Sequence, residues 1–371
     1  MEYVQERVTT LHQLRDSVPS APTDRAAVVV PMTEREYAGL AAEGVLSELE
    51  AVNPARVVVP LRAPAEKVGP FRDWLADFDL PLEVVWCNGP RLAELLADNG
   101  LNGSGGKGRD VWLALGQVLD ADYVVCHDAD TKTYDRSYVP RLLFPLEHGH
   151  EFSKGYYARV ENGRLYGRLF RLFYTPLVRA LAEETPDAEV LQYLAAFRYA
   201  LAGEFAATGD LVATLRIQRS WGLEVGTLGD AFDYAGFDGS AQVDLGAYEH
   251  DHRAVGGPTG LSEMSTAVGD ALCRVAEDHG VDPDYATLAD RYREVAETIR
   301  RQYAVDAAYN GLDYDRDDER DQIDAYAATV GEPSEDTRLP AWANAPISPG
   351  AVAEAAAADL RAATDGAGAS D

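Results

Sequence analysis

Lysine is almost missing from this chain. Only Lys67, Lys107, Lys132 and Lys154 occur among its 33 basic residues, and all the others are arginine. Positive charge as a whole is scarce: 62 acidic residues give a formal net charge of -29 over 371 residues. Such a surface repels a phosphate backbone, which excludes nucleic acid as a partner, and it disfavours an anionic membrane for the same reason. Long hydrophobic runs are also missing. No stretch of about 18 apolar residues occurs, so no transmembrane helix or stable membrane anchor is expected. Cysteine appears three times, at Cys87, Cys126 and Cys273, without metal-type spacing. No signal peptide is read ahead of them. A sparse, odd set excludes a disulfide scaffold and points to buried thiols in a reducing cytoplasm.

What is present is an ample hydrophobic fraction of 46%, enough for one large domain or two coupled ones. High acid, little lysine and abundant Ala, Gly and Asp resemble the composition of proteins from salt-loving archaea, in which concentrated salt screens the self-repulsion. Against that background the retained lysines single out their segments, above all Lys107 and Lys154.

The first half alternates between two patterns. Continuous apolar runs at Ala26–Val30, Arg56–Pro60, Glu83–Trp86 and Tyr123–Cys126 read as strands buried on both faces. Helical patterns lie between them, at Glu34–Ala51, Arg91–Asn99 and Lys107–Leu119. This predicts an α/β fold with a doubly wound sheet and ligands outside the carboxyl ends of the strands. Residues 1–24 read as a helix and linker. Beyond about residue 150 the pattern is α+β: a strand at Glu151–Arg159, helices at Arg164–Glu184, Leu191–Phe197 and Glu224–Ala235, and a strand at Ala241–Leu245. A helical pair follows at Ser262–His279 and Tyr285–Tyr303. Asp313–Asp324 reads as a solvated acidic face or loop. The Ala-rich stretch from Ala351 reads as a short helix and then disorder.

The fourth strand runs into His127-Asp128-Ala129-Asp130. Residues i and i+2 of an extended segment face the same way, so Asp128 and Asp130 can grip one hard cation, Mg2+ or Mn2+, of the kind shared with substrate phosphates. A nucleotide-sugar transferase needs this arrangement, because a divalent metal neutralises a departing diphosphate. Taken alone, Asp-x-Asp is more often a solvated turn. Gly103-Ser104-Gly105-Gly106-Lys107-Gly108 precedes a helix. It reads either as a phosphate-approaching loop or as glycines making a turn, and it lacks the P-loop spacing. Glu204 and Glu224 read as sugar-facing carboxylates or as ordinary helix-terminal acids. His250 follows a strand and is a candidate third ligand through a neutral imidazole.

In this order, these segments resemble the glucosyl-3-phosphoglycerate synthases, from about Val28 to about Arg253. The most specific matches are Gly106-Lys107-Gly108, Asp128-Ala129-Asp130, Lys154-Gly155-Tyr156-Tyr157, Gly167-Arg168 through Pro176-Leu177, Gly203-Glu204-Phe205, Trp221-Gly222-Leu223-Glu224, and Ala241-Gln242-Val243-Asp244-Leu245-Gly246 with His250. The front half is also similar to the mannosyl-3-phosphoglycerate synthases. The resemblance implies a GT-A-type fold and a metal-dependent retaining transfer of hexose, UDP-glucose foremost, to 3-phosphoglycerate. It implies Asp128, Asp130 and His250 on the metal. Pro31, Glu34 and Lys107 would lie along the donor, Glu204 and Glu224 by the donor sugar, and Gly167, Arg168 and Arg253 at the acceptor. Phe170 stands where the family has a small hydroxyl residue, and His252 where it has Asn. The implied division is 1–24 N-terminal helix and linker, 25–150 nucleotide-sugar region, 151–255 acceptor and catalytic region, 256–325 helical extension, and 326–371 a partly disordered tail. A homodimer is the implied assembly, with the helices after residue 258 as the candidate surface. The alternatives are transfer from GDP-mannose, another acceptor such as a glycan or lipid phosphate, a nucleotidyltransferase, or a binding-only relative.

Overall fold

Strand runs such as Ala26–Val29 are apolar at every position, because both faces of the sheet they enter are covered. The computed structural model describes residues 5–251 and 258–367. Its main sheet contains β1 (Thr9–Leu11), β2 (Ala26–Val29), β3 (Met32–Thr33), β4 (Arg56–Arg62), β5 (Leu82–Trp86), β6 (Tyr123–Cys126), β7 (Phe152–Ala158), β10 (Phe205–Thr208) and β11 (Ser240–Ala247). A separate hairpin pairs β8 (Val160–Glu161) with β9 (Arg164–Leu165). The helices of the first half are α1 (Leu40–Val52), α2 (Ala65–Leu75), α3 (Pro90–Asp98), α4 (Lys107–Gly116) and α5 (Tyr138–Glu147). Those of the second are α6 (Thr175–Glu184), α7 (Glu189–Ala196), the short α8 (Gly209–Val212), α9 (Leu223–Ala235), α10 (Pro258–Asp278), α11 (Tyr285–Tyr309), α12 (Arg316–Ala327) and α13 (Pro349–Ala367).

The strand order is β1-β11-β7-β10-β6-β2-β4-β3, with β5 also on β4. β10 alone runs antiparallel to its neighbours, β6 and β7. The carboxyl ends of β2, β4, β5, β6, β7 and β11 therefore share one edge with the amino end of β10, and that edge gathers every loop used below. Side chains alternate across the sheet. Ala26, Val28 and Val30 pack with α1, α2 and α5 on one face. Ala27 and Val29 pack with α3, α4 and the later helices on the other.

Several expectations are corrected here. Residues 5–24 hold no helix of three turns. Thr9–Leu11 is instead an edge strand in register with Ala241–Val243, too short to show a period in sequence. Strands β7, β10 and β11 join the same sheet as β2 and β6. The helix expected from Arg164 begins only at Leu169, as a π-helical segment to Tyr174 that runs on into α6. Before it, Asn162 and Gly163 both have positive φ and close β8 and β9 as a two-residue turn, the chemistry that Asn-Gly favours.

The acidic run is likewise more than a solvated face. It forms α12, in which Glu319 is buried against Arg171 at 2.8 Å. The helix expected near Ala351 is α13, which docks on the first half, and the disorder expected after it falls on 368–371, outside the described residues. Asp359 of α13 is buried and accepts from the backbone N–H of Arg91 (3.1 Å) and Leu92 (3.0 Å) at the start of α3. A carboxylate there satisfies orphan donors and complements the helix dipole.

Candidate active site at the carboxyl edge of the sheet

β6 delivers Asp128 and Asp130 to the shared edge. The segment after β11 returns antiparallel beside them: Thr131 bridges His250, and the N–H of Asp251 donates to the carbonyl of Asp130 at 2.8 Å. This pairing places His250 Nε2 3.1 Å from Asp130 Oδ2. The other oxygen, Asp130 Oδ1, is buried without a hydrogen-bond partner. Burial, and then the like charge of Asp128, push the Asp130 carboxyl up to about 8.

Asp128 turns the other way, to Lys107 Nζ at 2.5 Å. Burial would raise its pKa, but the charge and hydrogen bond of Lys107 prevail and hold it below the usual carboxylate range. Lys107 also lies 3.6 Å from Glu224. A cation at the first position of a helix opposes the dipole, so these two carboxylates hold it where it is. Among the described residues, no group of three metal-type side chains converges. Asp130 and His250 meet, while Asp128 is taken by the ammonium. A buried carboxylate oxygen, a second carboxylate within one turn of backbone and an imidazole nitrogen are nonetheless donors that fit Mg2+ or Mn2+.

Two glycines let these parts meet. A Cβ on Gly203 would stand 2.6 Å from Asp128 Oδ2, and one on Gly108 would stand 1.7 Å from the carbonyl oxygen of Gln218. The first leaves room for the Asp-x-Asp loop beside β10. The second lets residues 218–220 pass over the start of α4, where the N–H of Arg109 donates to the Arg219 carbonyl at 2.9 Å.

Glu204 is 0% exposed and both of its carboxylate oxygens lack hydrogen-bond partners. It stands behind Gly203 among Tyr134, Tyr138, Tyr157 and Tyr248. At the start of β10 this side chain turns into the core, close to the Asp128 and Lys107 charges. Burial, and then the Asp128 charge, push it up to about 7. Lys154, on β7, is also buried, lies over the Phe205 ring at 5.8 Å and has no hydrogen-bond partner. Burial pulls it down to about 8, against the opposing pull of Glu224 and Glu204.

A cleft of about 400 Å³ opens beside β3 and β4, with Thr33, Glu34, Arg62, Ala63 and Asn88 in its walls. Glu34 is paired there with Lys67 at 2.7 Å. Pro31 is half-buried between β2 and β3. Asn88 was not singled out in sequence, although it lies just past the end of parallel strand β5, where the topology puts ligands.

Gly167 and Arg168 lead into the π-helical segment, a device often found at functional positions. Arg168 pairs with Asp318 and lies 3.5 Å from Glu319, both of α12. His252 and Arg253 lie outside the described residues. The aromatic cluster connecting the two halves also went unread: Tyr157 stacks on Tyr248 at 4.0 Å and meets Tyr199 at 4.8 Å, and the Tyr248 hydroxyl bonds Thr131 at 3.1 Å.

Comparison with known proteins shows which family the chain resembles. No protein-family profile matches the chain. A glucosyl-3-phosphoglycerate synthase of Methanococcoides burtonii is 34% identical over 93% of this chain and 94% of its own length. The synthase of Persephonella marina is 36% identical over 81% and 78%. Among solved structures, mannosyl-3-phosphoglycerate synthase from Rubrobacter xylanophilus is 27% identical at a TM-score of 0.54, over 71% of this chain and 78% of that one. A glucosyl-3-phosphoglycerate synthase from Mycobacterium tuberculosis, in complex with Mn2+, UDP-glucose and phosphoglyceric acid, has a TM-score of 0.55 at 22% identity, over 75% and 89%. The second likeness supports the fold.

Proposed function

The chain belongs to the glucosyl-3-phosphoglycerate synthase family, and from that premise we propose that it transfers glucose from UDP-glucose to 3-phosphoglycerate with retention of configuration. The observation that carries this reading is the meeting of Asp130 and His250 at 3.1 Å, beside the Lys107–Asp128 pair. These residues are 120 apart in sequence, and the edge where they meet is the one at which such sheets bind ligands.

Asp130 and His250, with Asp128 turned from Lys107, would hold a Mg2+ or Mn2+ ion whose charge offsets that of the departing diphosphate. Lys107 supplies a fixed positive charge to the same leaving group. The cleft walled by Glu34, Arg62 and Asn88 takes the nucleoside, with Pro31 nearby at the end of β2. Glu224 at the start of α9 faces the sugar. The acceptor's free hydroxyl attacks the face from which the diphosphate leaves: the anomeric carbon–oxygen bond to phosphate breaks as the new one forms, and the hydroxyl proton passes to the departing oxygen. Gly167 and Arg168 receive an anionic group of the acceptor, since a guanidinium is the best match for carboxylate or phosphate. No described helix is long and apolar enough to cross a membrane, which favours an acceptor that is not drawn from a bilayer.

Transfer from GDP-mannose is the second reading, favoured by the likeness to the mannosyl enzyme at 27% identity. One assay separates them. Purified protein in concentrated KCl is given UDP-glucose or GDP-mannose, Mg2+ or Mn2+, and 3-phosphoglycerate or none, and nucleoside diphosphate release is measured. Release with UDP-glucose that needs both metal and 3-phosphoglycerate is expected. Release with GDP-mannose alone moves the reading to the second donor, and slow hydrolysis indifferent to 3-phosphoglycerate removes this acceptor.

A further inference from the structure

3-Phosphoglycerate carries two anionic groups, and its one free hydroxyl sits on the carbon next to the carboxylate. The carboxylate must therefore approach the reacting centre more closely than the phosphate does. In a site already lined by Asp128, Asp130 and Glu224, each anionic group needs its own cation. Lys107 is held by Asp128 and Glu224, Lys154 is buried over the Phe205 ring at 5.8 Å, and Arg253 lies outside the described residues.

Arg159 follows directly on β7, at the edge where Asp128 and His250 lie. Its guanidinium is 5.5 Å from the centre of the Tyr248 ring, and Tyr248 leads through Thr131 to the Asp-x-Asp loop. On the metal side, its NH2 group lies 3.8 Å from Glu161, whose carboxylate accepts from the His250 N–H at 3.4 Å. On the acceptor side, its NH1 donates to the Tyr199 hydroxyl at 3.4 Å. That hydroxyl closes on Gly167 so tightly that a Cβ there would stand 3.0 Å from it, and Gly167 has φ of +76°. Arg159 thus lies one side chain from the metal pair and one from Gly167-Arg168. Its protein contacts are long for a guanidinium, and its Nε is buried with no hydrogen-bond partner. A buried polar atom left without a partner in a folded protein calls for an explanation, and a planar fork of donors at this position fits a carboxylate. The side chain keeps 20% exposure, so it is not sealed from solvent.

We infer that Arg159 is a further acceptor-binding cation, in addition to Arg168 and the Arg253 implied by the sequence, and that it holds the carboxylate of the glycerate. This rests on the transfer to 3-phosphoglycerate proposed above.

The test uses Arg159→Met and Arg159→Lys in the full chain. Calorimetric binding of 3-phosphoglycerate is measured in the presence of UDP and Mn2+, followed by turnover with 3-phosphoglycerate and with glycerol 3-phosphate, which has CH2OH in place of the carboxylate. Losing a hydrogen-bonded charge pair should weaken 3-phosphoglycerate binding by about tenfold to a hundredfold in Arg159→Met. Arg159→Lys should lie between. UDP affinity, which also reports an intact fold, should not change. With glycerol 3-phosphate the variant and the parent should differ less than threefold. Equal losses with both acceptors, or unaltered 3-phosphoglycerate binding in Arg159→Met, overturn the inference while leaving the family reaction in place. A parent protein that binds no 3-phosphoglycerate overturns both.

Discussion

With Arg168 at the acceptor, as proposed, the Asp318 that pairs with it should compete with the substrate, and its removal should tighten the acceptor. The pair lies at the junction of α12 and the π-helical segment, with the Arg168 side chain 32% exposed and Asp318 55% exposed. An ion pair this open to water contributes roughly 0.2–1 kcal/mol. An anionic acceptor that takes Arg168 must first displace Asp318, so that energy is subtracted from binding. Asp318→Asn should therefore lower the acceptor KM by about 1.5- to 5-fold, because 1.4 kcal/mol is tenfold in affinity. The donor KM should not move. Glu319, 3.5 Å from Arg168, remains to orient the guanidinium, so the variant loses the competitor without losing the site. Salt provides the control. At 1 M ionic strength the screening length falls to about 3 Å, and the advantage of Asp318→Asn should shrink toward unity as KCl is raised from 0.1 M. Initial rates over an acceptor titration at four KCl concentrations read all of this. A raised acceptor KM at low salt, or equal changes in donor and acceptor KM, would refute both the competition and the place of Arg168.

Other perturbations bear on the same edge. Glu319 and Arg171 are 4% and 6% exposed and paired at 2.8 Å; removing one partner, as in Glu319→Leu, should cost about 3–5 kcal/mol in denaturant unfolding, and Arg171→Met/Glu319→Leu together should recover most of it. Gly203→Ala places a methyl 2.6 Å from Asp128 Oδ2; turnover should fall by at least about tenfold with a near-normal melting temperature, since only about 1.4 kcal/mol of barrier is needed for that, and full activity would show that Asp128 need not hold its place. Lys154 binds its proton less readily in the fold, at about 8 against 10.5 ordinarily. The unfolded chain then carries the extra proton between those values, so stability relative to Lys154→Met should rise with pH from about 8 to 10.5 and stay flat below. Parallel unfolding profiles from pH 7 to 10 would contradict the buried, unpartnered ammonium.

The parallel half of the fold was legible because the strands covered on both faces are continuous apolar runs, and β2, β4, β5 and β6 fall where those runs stand. The same alternation put Asp128 and Asp130 at a strand end, and the near absence of lysine drew attention to Lys107 and Lys154 before any geometry was known. Other features had no local signal. β1 is three residues long, and its strand character exists only through pairing with β11. Glu319 and Asp359 sit in sequences that look solvated, and they are buried because Arg171 and the start of α3 supply distant partners. Glu204 was legible as a motif but not as a core residue, since its direction depends on the register of β10 against β6 and β7. By itself the sequence determined the layer architecture, the family and the residue types that chemistry requires, because periodicity and motif are local properties. Only the tertiary structure decided which of those residues meet. The Asp130–His250 contact, the capture of Lys107 by Asp128 and Glu224, and the seat of Arg159 between Glu161 and Tyr199 all join segments far apart in the chain, and strand order alone brings them to one edge.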